Sequence, residues 1–171
     1  MKRIKTKYKK YPNKVTFDNG RSSPVPSQHR FKNDFIRNHG CSMAAFYIAM
    51  RFCGHKDKMG KLLSYARKSL GKYMKAKLTI KGVAKGVNKR AGRRVARYHR
   101  TCSKKAINRA LDAGHLVLLE TGDPIHTNVI YRSSGKTYHL DHGNVKKINV
   151  DNLIKKATKS STYRGWVDIK G

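Results

Sequence analysis

Asn38-His39-Gly40-Cys41-Ser42-Met43-Ala44-Ala45 leads into Phe46-Tyr47-Ile48-Ala49-Met50-Arg51-Phe52-Cys53-Gly54, and the fold turns on this stretch. From Cys41 to Cys53 the only charged residue is Arg51, and Gly54 is a natural helix stop. A helix that is apolar on nearly all sides has to run through the middle of a domain. This one carries a thiol in its first turn, where the positive end of the helix dipole favours the thiolate. A nucleophilic cysteine is commonly prepared in that way. The same residue also reads as one more small apolar side chain of a core helix, since free cysteines are often buried and inert.

What lies far downstream bears on that choice. Residues 106–157 read as a helix, a strand, a turn, two further strands and a helix. Ser103 is an N-cap candidate, Ile107, Ala110 and Leu111 form an apolar stripe, and Gly114 closes the helix. Leu116 to Leu119 is an uninterrupted apolar run of strand length, and Thr121-Gly122-Asp123-Pro124 is turn chemistry. His126 opens the next strand, Ser133-Ser134-Gly135-Lys136 turns it back, and Asp141 ends the return strand. A histidine that starts one strand and an aspartate that ends its hairpin partner meet across the ladder. They can then act as a base and its orienting carboxylate.

This order resembles the papain-like cysteine peptidases: Cys on a central buried helix, His at a strand start, Asp at the end of the next strand. It is most similar to the bacterial branch that includes the bacteriocin-leader (double-glycine) peptidases. The matching pieces are Gly40-Cys41-Ser42-Met43-Ala44-Ala45, the run from Ala110 to Leu119, His126, and Tyr138-His139-Leu140-Asp141 followed by Val145-Lys146-Lys147-Ile148. Thr79 to Gly92 is similar to the middle of those domains, with Ile80, Val83, Ala84 and Val87 on a helix before a strand. The likeness spans residues 28 to 170 and rests on order and spacing, because no single piece is specific. It implies an α+β papain-like fold with a buried nucleophile helix packed on an antiparallel β-sheet. It also implies thiol-dependent hydrolysis of peptide or isopeptide bonds, with Cys41 as nucleophile, His126 as general base and acid, and Asp141 as orienter. Acyl transferases of the transglutaminase type use the same order of residues and stay open as an alternative.

Relatives in that superfamily usually carry a glutamine six residues before the cysteine, whose amide stabilises the oxyanion. Phe35 stands there in this chain. Asn33, Gln28 and Asn38 are the nearby side chains that can replace it, alongside the backbone N–H of Cys41. His39 lies two before the cysteine and reads as a cap or a solvated residue. His142 reads as exposed, and strand alternation puts His139 on the face opposite Leu140. Cys41, Cys53 and Cys102 have no metal-ligand spacing, and His139/His142 is the only histidine pair at such spacing, so no metal or other cofactor is expected. Cys53 and Cys102 read as structural.

The 171 residues carry a formal charge of +31 and a pI near 10.5. Their apolar content still suffices for a core, which excludes a disordered basic tail protein. An odd number of unpatterned cysteines argues against a disulfide framework. No run is long enough to span a membrane, and no apolar segment follows the basic start, so a cytoplasmic location is expected unless a leader has been removed. Residues 1–27 read as a basic N-terminal extension, with strands at Thr6–Tyr8 and Val15–Phe17, a turn at Asp18-Asn19-Gly20 and an extended connector at Pro24-Val25-Pro26. Residues 28–171 read as the peptidase-like domain. Leu62, Leu63, Tyr65, Ala66 and Leu70 mark a second helix ending at Gly71, and Trp166-Val167 a last strand closing the sheet.

Lys81, Lys85 and Lys89 recur on one helix face, and Arg90, Arg93, Arg94, Arg97 and Arg100 extend that basic surface onto the next strand. These are the candidates for holding polyanions, and an acidic peptide or protein substrate would also suit the field they create. A third class therefore competes with the two enzyme classes: a basic nucleic-acid- or polyanion-binding protein on an inactive papain-like scaffold. No recognition helix, RNA-binding aromatic pattern or finger spacing supports sequence readout of nucleic acid.

Overall fold

Leu116–Thr121 is a strand buried at all six positions, and the rest of the architecture explains why. The structure is a computed structural model describing residues 13–74, 76–122, 125–160, 163 and 165–171. An N-terminal hairpin pairs β1 (Asn13–Thr16) with β2 (Ser22–Val25), and two consecutive helices follow, α1 (Asp34–His39) and α2 (Cys41–Phe52). Next come α3 (Met59–Ser69), α4 (Ile80–Ala91), β3 (Ala96–His99) and α5 (Lys104–Asp112). The chain then forms β4 (Leu116–Thr121), β5 (His126–Ser133), β6 (Lys136–Asp141) and β7 (Asn144–Lys147), and ends with α6 (Val150–Thr158) and β8 (Trp166–Ile169). The fold is α+β: helices on a six-stranded antiparallel sheet in the order β3-β8-β4-β5-β6-β7.

Strand alternation divides the core in two. Leu116 and Leu118 of β4, Val129 and Tyr131 of β5, and Val167 and Ile169 of β8 face a cluster built on α2, α3 and α4. Val117 and Leu119, Ile130 and Trp166 face the opposite cluster, which holds Ile107, Ala110 and Leu111 of α5 and Val150, Ile154 and Ala157 of α6. A strand covered by helices on both faces needs a continuous apolar run, which is what Leu116 to Leu119 supplies. Ten of the twelve residues of α2 are buried; only Ala44 and Arg51 are partly exposed. The helix capping follows the sequence closely. Thr79 and Ser103 accept from the N–H groups of Gly82 and Ala106, and Gly92 ends α4 at φ 67°.

Several expectations are corrected. Residues 34–39 form a helix that the sequence did not announce, joined to α2 through Gly40. β7 is an additional strand between Asp141 and α6, reached by a two-residue turn in which His142 (φ 46°) and Gly143 (φ 77°) are both left-handed. Trp166 and Val167 do begin the last strand in sequence, and that strand, β8, inserts between β3 and β4. Pro24 belongs to β2 rather than to a connector. Packing shows no break between residues 27 and 28, because Phe17 and Val25 lie in the same cluster as α2. Phe17 stacks edge-on against both Phe52 and Tyr131. Arg90 leaves the basic face to pair with Asp57 at 2.5 Å. The strand expected at Thr6–Tyr8 and the Asp123-Pro124 half of the turn lie outside the described residues.

Candidate active site

Gly40 sets the position of Cys41. A Cβ on Gly40 would run into the carbonyl of Ile36, so only glycine lets α1 abut α2 with the thiol on the first residue of the second helix. His126 is the first residue of β5 and Asp141 the last of β6. The ladder pairs Ile130 with His139, and continued by two residues it sets Asp141 opposite Asn128, one same-face step from His126. His126 Nε2 lies 2.8 Å from Asp141 Oδ2. The other carboxylate oxygen accepts the N–H of His142 at 2.9 Å, which fixes the carboxylate plane. Asp141 thus takes Nε2, and the ring lies close enough to the Cys41 thiol for each to shift the other's titration. All three side chains line one cleft of about 580 Å³.

The electrostatics invert the usual order of a thiol and an imidazole. Burial pushes the Cys41 thiol up, but the hydrogen bond from His126, the charge of Lys77, the hydrogen bond from the Thr127 backbone and the charge of His126 outweigh it and hold the thiol at about 7. Burial alone would push His126 down. Its hydrogen bonds to Asp141 and Cys41 and the negative charges of both raise it to about 9. Burial also works against ionised Asp141, yet the His126 hydrogen bond and the surrounding histidines keep its carboxyl below the usual range. Between about 7 and 9 the pair therefore stands as thiolate and imidazolium. The other two thiols go the opposite way: burial pushes Cys53 to about 11 and raises Cys102.

Three contributors escaped the sequence reading. Lys77 Nζ lies 3.9 Å from Cys41 Sγ and 3.3 Å from Glu120 Oε1, and Glu120 is 1% exposed. Nothing distinguishes Lys77 from its lysine-rich surroundings. Glu120 did leave a signal, since a carboxylate ending a fully buried strand demands a cation. Thr127 Oγ1 sits 3.8 Å from Cys41 Sγ.

The oxyanion candidates separate. Gln28 and Asn38 line the cleft with Cys41. Asn33 does not; its side chain caps α1 by accepting from Ile36 N. Phe35 packs beneath the guanidinium of Arg67 and beside His39.

Histidines crowd the far side of Asp141. His142 is half-exposed and stacks in parallel on both His126 and His29, at 5.3 and 5.1 Å between centroids. His139 shares the Asp141 face, with Nε2 3.9 Å from Oδ2, and burial depresses its pKa. His126, Asp141 and His142 each offer a ligand atom within 4.8 Å of the others, a grouping that linear spacing did not reveal. A cation there would take the carboxylate oxygen that orients His126.

Lys81, Lys85, Lys89, Arg93, Arg94 and Arg97 line a separate cleft beside α4. Among the described residues no helix is long and apolar enough to cross a membrane. Comparison with known proteins finds no matching family model, curated protein or solved structure.

Proposed function

We propose that the chain is a thiol-dependent hydrolase, a cysteine peptidase of papain-like type acting on peptide or isopeptide bonds. One observation carries this reading. Cys41 on a buried helix meets His126, and His126 is held by Asp141 at 2.8 Å, although the thiol and the imidazole lie 85 positions apart in sequence. A cysteine that merely fills a core has no use for an imidazolium and an ammonium at its sulfur.

In this reading the Cys41 thiolate attacks the substrate carbonyl, forming a C–S bond and a tetrahedral oxyanion. His126 gives its proton to the leaving amine as the C–N bond breaks, and a thioester remains on Cys41. Water then attacks the thioester while His126 takes its proton, and the thiolate departs to restore the resting pair. Asp141 keeps Nε2 occupied, so Nδ1 remains aimed at the reacting centre. Gln28 and Asn38, which line the cleft with Cys41, are the side-chain candidates for the oxyanion.

The test is a peptide library digested by the full chain, read by mass spectrometry for cleaved products and for acyl adducts on Cys41. The expected result is cleavage, lost in Cys41→Ala and reduced on the order of a hundredfold or more in Gln28→Ala or Asn38→Ala. Cleavage that survives in Cys41→Ala, or no acyl adduct with any peptide, overturns the reading.

A further inference from the structure

We propose that the cleft between α4 and β3 is a binding site for single-stranded nucleic acid, independent of the thiol chemistry. The cleft has a volume of about 840 Å³. Lys81, Lys85 and Lys89 project into it from one face of α4, in steps of about 6 Å along the helix axis. Arg93 and Arg94 line it from the turn, while Arg97 borders it on β3, with Ala96 and Tyr98 on the α4 face and Arg97 on the face of its ladder partner Asp168. Lys72 stands at the end. A row of ammonium groups facing guanidinium forks is what a sugar-phosphate chain needs.

Among the described residues no carboxylate pairs with the charge in this cleft. Between Lys58 and Leu111 the sequence contains no carboxylate at all. The nine acidic residues of the chain lie elsewhere, and eight of them belong to the described residues. Asp57, Asp112, Glu120 and Asp168 are paired with Arg90, Arg132, Lys77 and the histidines His99 and His115. Among the described residues, none of the cleft's lysines or arginines forms an ion pair with any of them. Packing so many like charges together is costly unless an anion joins them.

The cleft is also built rather than incidental. Asn88 bolts its two walls together: Nδ2 donates to Ala96 O at 2.8 Å, while Oδ1 accepts from Val95 N and Ala96 N at 2.8 and 2.7 Å. Gly82 has no Cβ, and one there would collide with Tyr73, so the glycine admits that ring against α4.

Two tyrosines decide between ligand classes. Tyr73 and Tyr98 line the cleft, and each has a lysine ammonium over its ring, Lys72 at 5.2 Å and Lys81 at 5.7 Å. Aromatic faces set among cations suit bases stacking alongside a tracked backbone. An acidic peptide would engage the cations and leave the rings unused.

A chain of this charge binds any polyanion to some degree, so the test has to separate the cleft from the bulk surface. A fluorescein-labelled single-stranded oligonucleotide is titrated with the full chain by anisotropy at stepped salt. Three variants are compared with wild type: Lys85→Ala/Lys89→Ala/Arg93→Ala in the cleft, Lys147→Ala/Lys155→Ala/Lys159→Ala on exposed positions of β7, α6 and the α6 C-cap, and Tyr98→Leu. Unchanged alkylation of Cys41 certifies the fold of each, and Tyr73→Leu substitutes where Tyr98→Leu fails that check. Each lost phosphate contact flattens the salt dependence of single-strand binding by about 0.7, so the cleft triple should lose about 2 from the slope. The control triple, with the same charge removed, should lose little. Tyr98→Leu should weaken binding by about tenfold at unchanged slope. Equal losses in the two triples, no effect of either tyrosine, or competition by polyglutamate as strong as by oligonucleotide of equal charge would each overturn the proposal.

Discussion

Cys41 and His126 trade a proton when the chain folds, and that exchange has a signature beyond reactivity. Unfolded, the thiol titrates near 9.0 and the imidazole near 6.5; folded, they stand at about 7 and about 9. Taken singly, the raised His126 stabilises the fold below 6.5 and loses that contribution as pH rises through about 9. The lowered Cys41 stabilises above 9.0 and loses its contribution as pH falls through about 7. The two trends oppose, so across this window the pair makes stability nearly flat. Cys41→Ser removes one side together with the thiolate's share of the His126 shift; with Asp141 still raising His126, its melting temperature should then fall as pH rises above 6.5, over a window that ends below about 9. A flat melting profile in that variant would contradict a raised His126. Lys77 gives a second prediction. Lys77→Met should move the midpoint of Cys41 alkylation above about 7 and cost roughly 3 kcal/mol, because buried Glu120 loses its ion pair with Lys77. Adding Glu120→Gln should restore much of the stability seen by thermal melting while leaving the alkylation midpoint high. A midpoint that returns with the stability would show that Lys77 acts on the fold and not on the thiol.

At the level of elements, what the sequence disclosed and what it hid have separate physical causes. α2, α4, α5 and β4 were legible because each has one dominant signal: an apolar run, an apolar stripe, or a cap such as Ser103, which the structure shows accepting the N–H of Ala106. α1 was hidden because its six residues bury only Ile36, too few for a stripe. β7 is exposed at all four positions, so it lacks the alternation that marks a half-buried strand; its one clue was the His142-Gly143 turn. The place of β8 inside the sheet was unreadable for a different reason, since strand order is a property of tertiary pairing and not of local pattern. The junction of α1 and α2 yields a prediction at this scale. Gly40→Ala should lower stability by about 1–3 kcal/mol in thermal or urea unfolding, because the added Cβ meets backbone that cannot yield cheaply. It should also slow alkylation of Cys41, as the sulfur is displaced from His126. Unchanged stability and reactivity together would mean that the junction does not position the thiol.

Across the whole molecule, the hairpin of residues 13–25 is part of the machine that holds the site. Phe17 joins Phe52 at the end of α2 to Tyr131 in β5, the two elements that carry Cys41 and His126. Phe17→Ala should therefore cost about 3–5 kcal/mol in denaturant unfolding, far more than the loss of a detachable tail would. The sequence suggested a tail because basic and proline-bearing residues dominate it, and two apolar side chains amid that charge, Phe17 and Val25, are a faint signal. The meeting of Cys41 with His126 was legible only as an order of residue types; Lys77 and Glu120, which complete the electrostatics, come together by folding alone. The most direct measurement is the rate of iodoacetamide alkylation at Cys41 against pH, located by mass spectrometry, for wild type, His126→Ala and Asp141→Asn. An activated pair predicts a wild-type midpoint near 7 and a much faster rate than at Cys53 or Cys102, with the midpoint moving up in His126→Ala and by a smaller step in Asp141→Asn. A Cys41 midpoint near 9.0 in all three, with no advantage over the other thiols, would contradict it.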